Sequence, residues 1–99
     1  MPSLDGRVAI VTGSARNIGR ATAKMLAGEG ASVVIHARKD KEGVDEAVAL
    51  LRAEGATAIG HIADVSTEAG AQSLIEAAVR RFRRVDILGH NAAIRRNTP

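Results

Sequence analysis

The chain has 99 residues, of which 45% are hydrophobic, enough for one modest domain whose core must be aliphatic because it holds a single Phe and no Trp or Tyr. Its lack of cysteine excludes a disulfide framework and a thiolate metal site, and no apolar run approaches the roughly 18–20 residues that a membrane span needs. The net charge of +3, concentrated at Arg80, Arg81, Arg83, Arg84, Arg95 and Arg96, would tolerate nucleic acid, but the aromatic side chains that stack on bases are missing, so a solvated helix end and loop are the better reading.

Residues 7–12 form a short, continuous apolar run rich in β-branched side chains, the pattern of a buried strand. A glycine turn follows: Thr12-Gly13-Ser14-Ala15-Arg16-Asn17-Ile18-Gly19. Beyond it, Ile18, Ala21, Thr22, Met25 and Leu26 recur at helical spacing and are expected to form the apolar stripe of a first helix. Strand, glycine turn and helix in that order bring backbone N–H groups and the positive end of a helix dipole up to one point. A pyrophosphate-bearing nucleotide is the natural occupant.

Gly28 and Gly30 end that helix, and residues 31–37 give a second strand. Asp40 is placed to cap a second helix carrying Val44, Ala47, Val48 and Leu51 on one face, and Gly55 stops it. Residues 57–62 form the third strand. Ser66 or Thr67 starts a third helix with Ala71, Leu74, Ile75, Ala78, Val79 and Phe82 on one side, and residues 85–89 form a fourth strand. Strands alternating with helices of this length require right-handed crossovers and a parallel sheet, an α/β architecture. Gly13, Ala37, Asp64 and Asn91 then all lie at carboxyl ends of strands, where open α/β sheets bind ligands.

The turn resembles the T-G-x-x-x-G-x-G motif of the short-chain dehydrogenase/reductase family, with Asn17 in the place of the middle glycine. Asn reaches positive φ more readily than other side-chain-bearing residues, so the exchange is physically tolerable. Asp64-Val65 resembles the D-V pair of the family, whose Asp is expected at the adenine amino group. Residues 86–93 resemble its D-x-L-V-N-N-A-G segment, with His90 for the first Asn and Ala93 for the Gly. The resemblance implies a Rossmann-type doubly wound parallel sheet in the order 3-2-1-4, and a nicotinamide dinucleotide held by Gly13, Ser14, Arg16, Asn17, Ile18, Gly19, Arg38, Asp64, Val65, Asn91 and Ala92.

In an NAD-binding sheet of this type a carboxylate near the end of the second strand takes the ribose hydroxyls. Ala37 stands there instead, followed by Arg38 and Lys39, while Arg16 stands in the turn. Guanidinium groups suit a 2′-phosphate, and the family associates basic residues at these two places with NADP. NADP is therefore expected, with NAD the lesser choice. An exposed basic pair could also do no more than solubilise a turn.

The family's Tyr-x-x-x-Lys motif and its Ser have no counterpart here: there is no Tyr, and the three lysines, Lys24, Lys39 and Lys41, are in the nucleotide half. No catalytic residue and no metal site is therefore assigned within the chain. His36, His61 and His90 lie in or beside different strands, which favours hydrogen-bonded structural roles over metal ligation. Ser14 and Ser66 read as turn and cap residues. Residues 1–99 are expected to be the N-terminal part of one NAD(P)-binding domain, ending before the catalytic segment. The parent would be an NADP-dependent oxidoreductase moving hydride between nicotinamide and a carbonyl or secondary alcohol. Such a parent would be a homo-oligomer and, with no secretory signal visible in residues 1–6, cytoplasmic. The competing reading is a non-catalytic nucleotide-binding or interaction module. An extended epimerase-like relative is disfavoured, because Arg16 occupies the place of the glycine it would need.

Overall fold

The computed structural model describes residues 3–90, and Asn91 and Ala92 of the expected site lie outside them. The elements are β1 (Val8–Thr12), α1 (Asn17–Gly28), β2 (Ser32–Ala37), α2 (Lys41–Ala53), β3 (Ala58–Ile62), α3 (Glu68–Phe82) and β4 (Ile87–His90). All strand pairs are parallel, in the order β3-β2-β1-β4. This is the expected Rossmann-type order, which reverses direction between β1 and β4.

β1 is buried along its whole length because helices cover both faces of the sheet. Alternation along the strands divides the core in two. Ala9, Val11, Val33 and Ile35 point to α1 and α2, meeting Ala23, Val44 and Leu51. Val8, Ile10 and Val34 point to the opposite face, meeting Leu74 and Ala78 of α3. Gly60 lets α2 settle on β3, since a Cβ there would run into Val44.

The helix ends follow their sequence signals. Asp40 accepts from the Gly43 N–H at 2.9 Å, and Thr67, of the two residues considered for α3, accepts from the Gly70 N–H at 3.0 Å. Gly30 and Gly55 follow α1 and α2 at φ 102° and 91°, where a Cβ is strained. At the foot of the sheet Asp86 accepts from the Val8 N–H at 2.9 Å and from two nitrogens of Arg84 at 2.8 Å each. These bonds hold its carboxyl down at about 2, the Arg84 bond being the largest cause.

One expectation is overturned. The stripe Ile18, Ala21, Thr22, Met25 and Leu26 does not form the inward face of α1: Ile18 is 68% and Met25 63% exposed, and of the five only Leu26 packs against the core. The face turned to the sheet carries Gly19, Ala23 and Ala27, at i, i+4 and i+8. Small residues let the helix approach the strands closely, whereas apolar periodicity favours the bulkier neighbours. α3 shows a milder version: Leu74 and Ala78 are buried, while Val79 is 44% exposed.

Candidate functional site

β1 ends at Thr12, and the chain turns sharply through Gly13 at φ 63°. The turn is fastened from below. The Ser14 hydroxyl donates to the Val11 carbonyl at 2.6 Å and accepts from the His36 N–H at 2.9 Å, while the Ser14 N–H donates to the His36 carbonyl at 2.8 Å. Ser14 is completely buried, so its hydroxyl serves the turn itself. The Gly13 N–H donates to His36 Nδ1 at 3.1 Å, and His36 Nε2 lies 2.7 Å from the Ala63 carbonyl. The ends of β1, β2 and β3 are thus joined through one side chain.

α1 starts directly above this turn. Asn17 sits at φ 57°, in the left-handed region, as expected of a residue standing in for glycine. Gly19 is buried against the turn: a Cβ there would collide with the Gly13 carbonyl oxygen and come within 2.9 Å of Ser14 Cα. Only glycine permits this approach. The N-terminus of α1 has no side-chain cap and no acidic residue in its first turn. In α2 and α3, by contrast, a cap and a first-turn Glu complement the dipole. The first-turn N–H groups of α1 and its positive dipole end are therefore left available to an external anion.

The basic residues stand around this point, each beside a carboxylate. Arg16, the N-cap residue of α1, donates from Nε to Asp40 at 2.6 Å, and Arg38, just past β2, approaches Asp64 at 3.4 Å. The Arg16 bond first, and the Gly43 N–H second, hold the Asp40 carboxyl below its usual range. Asp64 is held low chiefly by Ser66, whose hydroxyl and N–H both donate to it at 2.6 and 3.0 Å. Both arginines keep half or more of their side chains in solvent, at 50% and 67%, so an incoming phosphate can compete for them. Ala37 closes β2 with no carboxylate, and Val65 packs against the core on the α3 side.

The structure therefore gathers Gly13, Ser14, Arg16, Asn17, Ile18 and Gly19 in one turn, with Arg38 and Asp64 at the neighbouring strand ends. Two partners escaped the sequence reading. Asp40 was legible as a helix cap but not as the partner of Arg16, because nothing in a spacing of 24 residues signals the pair. Gly70 lets the Asp64 carbonyl lie against the start of α3, where a Cβ would collide with it. The only hint was a glycine in the first turn of a predicted helix.

The sequence profile of the short chain dehydrogenase family matches residues 7–99. Over 94 residues the chain is 45% identical to an uncharacterised oxidoreductase of Methylorubrum extorquens, covering 95% of this chain and 38% of that protein. It is 43% identical over 94 residues to tropinone reductase-like 3 of Erythroxylum coca, covering 95% of this chain and 36% of that protein. Among solved structures, a short chain dehydrogenase/reductase from Burkholderia phymatum in complex with NAD matches at a TM-score of 0.82 and 39% identity, covering 89% of this chain and 31% of that one. The chain thus spans less than two-fifths of the length of each of these relatives.

Proposed function

The chain belongs to the short-chain dehydrogenase/reductase family, and from that membership we propose that it forms the cofactor-binding part of an NADP-dependent oxidoreductase. The observation that carries this reading is the start of α1, which lacks both cap and acidic residue and stands over a turn that Gly19 keeps open. Backbone N–H groups at Asn17, Ile18 and Gly19 would take the pyrophosphate. Asp64 would receive the adenine amino group, with Val65 shaping the wall behind it. Arg16 and Arg38 would exchange their carboxylate partners for the 2′-phosphate, and Ala37 offers no ribose-binding carboxylate to favour NAD. Asn91 and Ala92 would continue the site beyond β4.

A nicotinamide held there would supply the hydride chemistry on a carbonyl or secondary alcohol of a small-molecule substrate. The chain's own residues bind and orient it. Proton transfer needs a general acid that residues 1–99 do not include as Tyr. We place the protein in the cytoplasm as part of a homo-oligomeric enzyme. Among the described residues no helix is long and apolar enough to cross a membrane.

The test is a calorimetric titration of the chain with NADPH and with NADH, beside an assay for turnover of ketones and aldehydes. NADPH should bind more tightly, and the chain alone should give no turnover. Equal affinities would overturn the NADP preference, and the absence of binding by either nucleotide would overturn the phosphate turn.

A further inference from the structure

His36 is 3% exposed, and both of its ring nitrogens are engaged. The Gly13 N–H can only donate, so Nδ1 must accept, and the ring proton must therefore sit on Nε2, which donates to the Ala63 carbonyl. One neutral tautomer satisfies every partner. A second proton would set an N–H against the Gly13 N–H. Gly13 is also the residue whose carbonyl oxygen lies against Gly19, so a displaced Gly13 would carry the start of α1 with it.

We infer that His36 is a positioning residue that keeps the phosphate turn in its binding shape through its neutral imidazole, so that nucleotide affinity falls as the solution is acidified. The inference rests on the nucleotide reading above. Burial is the main influence on the ring and disfavours its charged form, lowering its pKa below the usual histidine value. The Ala63 carbonyl opposes this, and the nearby His61 adds to it. His61 is the ionisable side chain facing His36 from β3, in direct register with it. β1 brings no ionisable side chain. α3 presents Ser73, which bonds His61 at 3.0 Å, while its Glu68, Glu76, Arg80 and Arg81 are exposed. Past the strand ends Asp64 is held by Ser66 and Arg38. Among the described residues no carboxylate therefore rescues a charged His36. The sign follows: the lock is in place above the ordinary histidine pKa and is lost as pH falls through the lowered one.

The experiment measures NAD affinity of the chain from pH 8 to pH 5. NAD is the probe because its pyrophosphate does not titrate in this range, whereas a 2′-phosphate does. Affinity should weaken about fivefold on acidification, the weight of one net hydrogen bond. His36→Asn retains an acceptor near the Nδ1 position, gives up the Ala63 bond and cannot titrate, so whatever affinity it keeps at pH 8 should no longer fall on acidification. His61→Gln should keep the loss of affinity on acidification, with its midpoint moved to higher pH because the repulsion from His61 is gone. Nitrogen NMR of the imidazoles should show Nδ1 bare and Nε2 protonated, a readout that needs no nucleotide. A flat parental profile, parental pH dependence in His36→Asn, or a proton on Nδ1 would each overturn the inference. A chain that binds neither NAD nor NADP at pH 8 yet shows the Nε2–H tautomer would instead sink the nucleotide reading, and the affinity coupling with it.

Discussion

Arg16 Nε donates to Asp40 Oδ2 across 2.6 Å, tying the glycine turn to the N-cap of α2. The same carboxylate therefore caps a helix and restrains a side chain proposed for the 2′-phosphate. The two duties can be separated by chemistry. Asp40→Ser keeps a capping oxygen and removes the charge that holds Arg16. NADP affinity should rise several-fold while NAD affinity stays level, read by calorimetry with both nucleotides. Parallel changes for both would show that Arg16 does not meet the 2′-phosphate.

Arg38→Asp should reverse the nucleotide preference. It deletes the proposed phosphate partner and places a carboxylate beside the proposed ribose site. A hydrogen bond between charged groups contributes about 1.5–3 kcal/mol, so NADPH affinity should drop at least tenfold and NADH affinity should rise. If neither constant moved, Arg38 would be a solvated turn residue paired with Asp64 and nothing more.

Gly19→Val should weaken binding of either nucleotide strongly, because its side chain must displace the backbone of Gly13 and Ser14. The helical signal in circular dichroism should survive, since Ala23 and Ala27 still seat α1 on the sheet. Retention of parental affinity would show that the turn is no phosphate cradle.

Asn17→Gly is the milder change in the same turn. Asn17 already holds φ 57°, so glycine relieves strain at the cost of chain entropy. Thermal unfolding should move by no more than about 1 kcal/mol equivalent, with binding retained or tightened. A large loss of affinity would mean that the Asn side chain itself contacts the nucleotide.

Asp86 sets an acid limit on stability. Its carboxyl lies at about 2 in the folded chain against 3.8 as the ordinary value, so its contribution is complete above pH 4 and is lost as pH falls toward 2. Asp86→Asn can still accept from the Val8 N–H but cannot titrate. Denaturant midpoints measured between pH 5 and pH 2 should fall less steeply for the variant than for the parent. Identical slopes would place the acid sensitivity on other carboxylates.

The alternation of apolar runs, glycines and caps was sufficient by itself to specify the strands, the helices and a parallel sheet, while the order 3-2-1-4 came from the family resemblance. Each of those signals is local: β-branched runs at the strands, Asp40 and Thr67 at the helix starts, and glycine where φ turns positive. The position of the glycine turn was legible for the same reason, since only glycine tolerates the approach that Gly19 makes to Gly13. Tertiary structure alone decided which side of α1 faces the sheet. Periodicity reports which residues share a helix face, but the helix docks on whichever face lets backbones approach, here Gly19, Ala23 and Ala27 rather than Ile18 and Met25. It also decided the pairing of Arg16 with Asp40 and of Arg38 with Asp64, and the lock that His36 forms between Gly13 and Ala63. Those contacts join residues 23 to 27 positions apart, and a pairing at that separation exists only once the sheet has brought the strand ends together.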